Sequence, residues 1–439
     1  MGRVQAGSAL AAFGMGLTVP FLYVYAAQVR GLGAGAAGMV LAAFAVAALA
    51  VLPLTGRAID RRGPLPVLLA AAVVSASGAM ALGLARGEAA VVLAAAVLGA
   101  GTAVIQPALA TLVVWCSGAA SRGRSFAVQF FLQNVGLGAG GLVGGLLVDG
   151  SSPGGFVALF SVEALMFLAL AAIAAGARAG IPSPVTAVEP GSESAALRGA
   201  GAGAGSGGWR ALLGHRAMVQ LSVLGFVLFF ACYGQFDSGL SAYGVEAAGV
   251  SPSMLGVALA ANTAAIAVAQ FAVLRFVERR RRSRVIAAVG LIWAVAWAAA
   301  GYAGLGHAGQ AMATTAFVST YALFGLGESL LSPTLAPLVA DLAPEGAVGR
   351  YNSAFALVKQ LALAVGPAVG GPMGAALHGP YVVTFLLFSL GVTALALRLG
   401  RWLSPAQDRP HPAGGRIAAR GGRRAGEPAG VAESIPADC

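Results

Sequence analysis

Charge is what this chain has least of. Only 10% of its 439 residues are Asp, Glu, Lys or Arg, against about 25% in a soluble domain, so a water-soluble fold would lack polar surface. Cysteine is scarce as well. Cys116, Cys232 and Cys439 are odd in number and scattered, which excludes a secreted disulfide scaffold or a thiolate metal cluster. Four histidines show no ligand spacing, and there is no phosphate loop or nucleophile–base constellation. The enzyme classes built on those features are thereby excluded. Lysine occurs once, at Lys359, beside 26 arginines. The resulting net charge of +11 and pI near 10.4 would suggest nucleic acid in a soluble protein. Here the arginines punctuate apolar runs and form no basic stripe interleaved with aromatics, so a nucleic-acid partner is set aside.

Apolar residues make up 58% of the chain and mean hydropathy is +0.83, which marks an integral membrane protein. About 20 apolar residues cross a bilayer core, and runs of that kind lie near 5–28, 35–56, 65–85, 90–115, 125–148 and 155–177. Six more lie near 217–242, 252–274, 285–305, 310–338, 351–376 and 380–399. The domains expected are thus 1–177, a linker over 178–216 with the low-complexity run RGAGAGAGSGGWR, 217–400, and a disordered tail over 401–439. With both termini inside, 24 cationic residues fall in cytoplasmic segments and two, Arg30 and Arg86, outside. That asymmetry obeys the positive-inside rule only for an even number of spans. A multi-pass protein of a bacterial plasma membrane is expected, the Arg, Ala and Gly excess fitting GC-rich codons.

The two halves repeat. At an offset of 226, residues 99–145 align without a gap to 325–371 with 14 identities in 47 positions, among them Gly99/Gly325, Gly101/Gly327, Pro107/Pro333 and Arg124/Arg350. At an offset of 218, Gly16 falls on Gly234, Tyr25 on Tyr243, and the pair Asp60–Arg61 on Glu278–Arg279. Two parallel six-span repeats are an architecture of secondary transporters with the site at the interface between repeats.

The run GRAIDRRGP from Gly56 sits in the loop between the second and third spans. It resembles the loop motif G-x-x-x-D-R-x-G-R of the major facilitator superfamily, with Gly56, Asp60, Arg61 and Gly63 in place and Pro64 where a cation is usual. The resemblance implies an all-α membrane fold of 12 transmembrane helices in two pseudo-symmetric six-helix bundles. It also implies a cytoplasmic gate in which Asp60 meets the start of span eleven at Arg350. By the repeat, Glu278 and Arg279 would face the start of span five at Arg124. Span five carries Gly136, Gly140, Gly141, Gly144 and Gly145, and span eleven the run Gly366-Pro367-Ala368-Val369-Gly370-Gly371. These resemble the G-x-x-x-G-P-x-x-G-G signature of drug:proton antiporters and imply close helix packing on the extracellular side. The arginine that usually opens span four in that branch is absent; Ala95 and Val97 stand at the candidate positions.

Ionisable residues at membrane depth are functional candidates by default. Four are present: Glu163, Asp237, Glu328 and Lys359. In the superfamily that the chain resembles, spans one, four, seven and ten line the cavity, which favours Asp237 and Glu328 and makes Glu163 an interfacial or locally satisfied residue. Glu328 and Lys359 are expected at one depth and in contact. Tyr23, Gln106, Gln133, Tyr233 and Gln235, with Gln28, Thr102 and Tyr321, would line the same cavity. The implied activity is proton-coupled efflux of hydrophobic or amphiphilic compounds, with uptake or exchange of a small metabolite as the alternative and a non-transporting sensor as a distant one. The partners expected are a small-molecule substrate, protons and the lipid bilayer, with no cofactor or metal, and the chain working as a monomer.

Overall fold

The computed structural model describes residues 2–22, 25–118, 121–147, 153–177, 208–236, 238–277, 280–305, 309–344 and 346–409. All regular structure among them is helical. The first bundle comprises α1 (Gly2–Thr18), α2 (Gly33–Arg62), α3 (Pro64–Leu84), α4 (Glu88–Cys116), α5 (Arg122–Leu147) and α6 (Pro153–Gly176). The second comprises α7 (Arg216–Ala231), α8 (Pro252–Val277), α9 (Arg282–Leu305), α10 (Gln310–Leu342), α11 (Val348–Ala376) and α12 (His378–Leu399). Among the described residues, eleven helices meet the length and hydropathy of a membrane crossing, and α8 adds a shorter apolar stretch, Met254–Gln270. The linker lies outside the described residues except for a short helix at Gly208–Gly214, and so does the tail beyond Arg409.

Two spans are not continuous helices. After α1 the chain passes through a 3-10 turn at Val19–Phe21, where Pro20 cannot donate a ladder bond, and then a π-helical turn at Tyr25–Val29. After α7 it passes through a 3-10 turn at Tyr233–Gln235 and resumes at Gly239–Glu246. Backbone carbonyls freed at a break must find donors in an apolar setting. Trp297 Nε1 donates to the Ala231 carbonyl at 3.2 Å and Gln235 Nε2 to that of Phe230 at 3.0 Å.

The internal repeat is carried into the packing. In the first bundle α1 packs on α5 and α6, α4 on α2 and α3, and α3 on α6; in the second α7 packs on α11 and α12, α10 on α8 and α9, and α9 on α12. Individual contacts recur at the offset of 218. Tyr25 donates to the Leu82 carbonyl at 2.5 Å and Tyr243 to that of Ala300 at 3.0 Å. Gly99 lies against the Phe44 backbone and Gly325 against that of Asn262; Gly101 lies on Ser75 and Gly327 on Trp293. Each glycine admits a neighbour where a Cβ would collide, so the aligned glycines mark the same helix crossings in both halves.

Candidate functional site

The bundles meet at the end where the arginines gather. The turn after α2 needs Gly63, whose φ is +83°, and Pro64 then opens α3 as an N1 residue. This turn holds Asp60 against the start of α11. Asp60 Oδ1 accepts from the Gly349 amide at 2.8 Å, and Oδ2 accepts from Arg350 Nε at 2.7 Å. The carboxylate thus caps the exposed amides and positive dipole of a helix in the other bundle while pairing with a guanidinium. Gly56 makes room: a methyl group there would stand 2.6 Å from the Arg350 Cα. One turn deeper along α11, Asn352 Nδ2 donates to Thr111 Oγ1 at 3.0 Å, tying α11 to α4. Beyond it Ala48, Leu52 and Ala103 pack on Ala356 and Leu357. Eight residues of α11 separate Val348 from Ala356, so this seam is closed to a depth of about 12 Å.

The second pairing across the bundles differs in its residues from the expected one. Asp341, at the end of α10, pairs with Arg122 at the start of α5 and with Arg282 of α9, the latter at 2.7 Å. Ser332 also donates to the Phe126 carbonyl of α5 at 3.1 Å. The repeat points to Arg124 here, but Arg124 is exposed, and Arg122, half a turn earlier, faces the other bundle. Glu278 and Arg279 lie outside the described residues. Arg61 is exposed at the same end.

Just above this seam the second bundle buries a polar cluster. Glu328 on α10 is 3% exposed and accepts from Asn262 Nδ2 of α8 at 3.0 Å. The Tyr233 hydroxyl, at the break in α7, stands against the same carboxyl. Lys359 on α11 is within electrostatic range of Glu328. No ion pair within 4.0 Å joins them among the described residues; Lys359 Nζ lies instead over the rings of Phe229, at 5.3 Å, and Tyr233, at 5.8 Å. The ammonium is thus held by ring quadrupoles. Phe236, Tyr321, Phe324 and Trp293 continue the aromatic wall.

The other candidates are dispersed. Gln235 is wholly buried, clamped by Phe230, by the Gly366 carbonyl at 3.4 Å and by the Tyr381 hydroxyl at 3.2 Å. It repairs the break in α7 and does not face the space between bundles. Gln133 donates to Ser8 Oγ at 2.7 Å, and Thr102 bonds its own helix. Gln106 is exposed on α4. Tyr23 and Asp237 lie outside the described residues, as does the side chain of Gln28.

The glycine faces do pack helices closely. Methyl groups on Gly136 and Gly140 would collide with the α1 backbone at Ala9 and Phe13, and one on Gly144 would stand 2.8 Å from the Phe21 ring. One on Gly366 would stand 2.6 Å from the Gly234 Cα, and Gly370 lies against Gln235. Pro367, one residue on from Gly366, is exposed, and nothing lies within 4 Å of a methyl on Gly371. Gly145 falls in α5, its surroundings outside the described residues. These contacts are α1 on α5 and α7 on α11, within each bundle.

Sequence reasoning missed Asp341, Arg122, Arg282, Asn262 and the Thr111–Asn352 pair. Asn262 carried a signal: it is the repeat-mate of Phe44 at the offset of 218, a polar residue where the other half has an aromatic ring. Asp341 reads as an ordinary charge at a span end.

Comparison with known proteins bears on the whole arrangement. The human organic anion transporter MFSD10 (TETRAN) is similar in structure, with a TM-score of 0.66 at 17% identity, over 90% of this chain and 98% of that one. The proton:xylose symporter XylE, bound to 6-bromo-6-deoxy-D-glucose, gives 0.71 at 13% identity over 93% and 96%. The E. coli fucose:proton symporter FucP gives 0.65 at 16% over 91% and 97%. No curated protein sequence matches. At these identities the likeness shows the fold alone, but the sequence profile of the Major Facilitator Superfamily matches residues 6–251 and 245–433. With two repeated six-helix bundles joined at their arginine-rich ends, the chain belongs to the major facilitator superfamily of membrane transporters.

Proposed function

We propose that the chain is a secondary active transporter of a bacterial plasma membrane that exports hydrophobic or amphiphilic compounds in exchange for protons, working as a monomer. The observation that carries this reading is the Glu328–Asn262–Tyr233–Lys359 cluster. It is a carboxyl and an ammonium buried near mid-membrane, walled by aromatic rings, directly above a closed seam. Both termini are taken as cytoplasmic, so the seam is the cytoplasmic gate and the protein faces outward. Aromatic walls favour ligands with large apolar surfaces, whereas sugar sites need many hydrogen-bonding groups. In the exchange cycle Glu328 takes a proton from the open side and Lys359 balances its charge once the proton leaves. A substrate group of either sign then competes with one partner of the pair.

The seam supplies alternation. Asp60, Arg350, Asp341 and Arg122 hold the cytoplasmic ends together while the cluster faces outward, and release them on reversal. The alternative, uptake or exchange of a small metabolite, is favoured by one observation: Lys359 has no carboxylate within 4.0 Å among the described residues, which suits a small anionic ligand. The discriminating experiment is susceptibility of cells lacking or expressing the protein to cationic, neutral and anionic amphiphiles, with Glu328→Gln as control. Export predicts resistance that the variant loses. Unchanged susceptibility in every class, with accumulation of a labelled metabolite, supports uptake instead.

A further inference from the structure

The first bundle holds a buried acid of its own. Glu163 on α6 is wholly buried, and neither carboxyl oxygen has a hydrogen bond of acceptable geometry. It is ten residues from Pro153, about 15 Å along α6, and so near mid-membrane. Its backbone and Cγ pack on Gly14 of α1, within 3.2–3.4 Å of where a Cβ there would sit. The Thr18 hydroxyl stands beside the carboxyl but is directed to the Gly14 carbonyl at 3.4 Å. Thr18 is the last α-helical residue before the break at Val19–Phe21.

Among the described residues, the surroundings supply no counter-charge. The helices packed most closely on α6 are α1 and α3. Apart from Arg3 at the far end of α1, neither contains an ionisable side chain, and Glu163 is the sole one in α6. Past the break, Tyr25 packs on Phe156 and Phe160 at 5.1 and 4.9 Å, yet its hydroxyl is spent on Leu82 and on Arg30, whose Nε donates to it at 2.7 Å. Arg30 Nη2 donates to the Gly83 carbonyl at 2.8 Å. An ionised carboxylate at Glu163 would forfeit its hydration with nothing in exchange, whereas a carboxylic acid tolerates the site far better.

Each bundle thus sets a buried carboxyl beside the break in its first span: Glu328 beside the turn after α7, and Glu163 beside the turn after α1. We propose that Glu163 is a second proton-binding site, closed in this conformation and loaded or emptied when α1 bends at Thr18–Phe21. The step is protonation and deprotonation of one carboxyl. The proton is exchanged with water admitted at the break, and no other reactant is needed. The site is independent of the role assigned to Glu328.

The test is infrared difference spectroscopy of the full chain in lipid nanodiscs, titrated from about pH 5 to about pH 10, a range that brackets buried carboxyls. Wild type should show the carbonyl band of an unbonded carboxylic acid at neutral pH, absent in Glu163→Gln and displaced in Glu163→Asp. The band should bleach on alkalinisation together with faster hydrogen exchange at the Val19, Phe21 and Leu22 amides. Glu328→Gln should keep the band, so failure of the Glu328 reading is seen separately. A band identical in wild type and Glu163→Gln, or one unaltered over the whole titration, overturns the proposal. Glu163→Asp keeps the test valid should the Gln variant fold poorly.

Discussion

Replacing Asp60 by Asn probes the seam with minimal change of shape. The carboxylate accepts from the Gly349 amide at 2.8 Å and from Arg350 Nε at 2.7 Å, with its side chain 9% exposed. An amide oxygen can retain the first bond, so the loss falls on the second. A hydrogen bond between charged groups contributes about 1.5–3 kcal/mol, and a negative charge at a helix N-terminus another 0.3–1 kcal/mol or so. The closed seam should therefore weaken by about 2–4 kcal/mol, a shift of roughly 30- to 700-fold at about 1.4 kcal/mol per factor of ten. Single-molecule energy transfer between dyes at Arg62 and Pro344, exposed positions on opposite bundles at this end, reads the equilibrium directly. The variant should populate a state with the dyes further apart that wild type visits rarely. A distance distribution identical to wild type refutes the assignment of Asp60 as a latch.

Gly366→Ala should lower the thermal midpoint, because the new methyl meets the Gly234 Cα at 2.6 Å, backbone that has little room to give; overpacking of this kind costs about 1–3 kcal/mol. Gly371→Ala, with nothing within 4 Å, should leave the midpoint unchanged in the same melt. Asp408 is 3% exposed and accepts from the Ser283 amide at 2.9 Å and hydroxyl at 3.0 Å, fastening the segment after α12 to the start of α9. Asp408→Asn should cost that anchor about 1.5–3 kcal/mol, seen as faster exchange of the Ser283 amide and earlier proteolysis beyond Leu399.

What the sequence disclosed, and what it concealed, follows from range. Apolar runs and arginine asymmetry are properties of the local string, so all twelve spans could be read off. Gly99/Gly325 and Gly101/Gly327 survive as identities because each sits where a helix backbone passes within collision distance of a Cβ. The break after α1 is announced by Pro20, but the one after α7 has no proline, and its stability comes from Trp297 and Gln235 donating to the Ala231 and Phe230 carbonyls. That is tertiary information, and it explains why Gln235 reads as a cavity residue and is a structural clamp. Arg122 and Arg124 are equivalent on paper; rotation about α5 decides which faces Asp341. Glu163 reads as an interfacial or locally satisfied residue on an outer span, yet α1 closes over it through Gly14, and its carboxyl oxygens have no hydrogen-bond partner of acceptable geometry.

Proton movement measured in proteoliposomes tests the central claim most directly. Vesicles carrying an internal pH dye are given an outward- or inward-directed gradient of an amphiphile to which the cell assay shows resistance, and wild type is compared with Glu328→Gln. The account predicts that the wild-type protein moves protons opposite to the amphiphile, and that Glu328→Gln, equally inserted and folded, moves none. Equal proton flux in the two proteins would contradict it and assign Glu328 to structure.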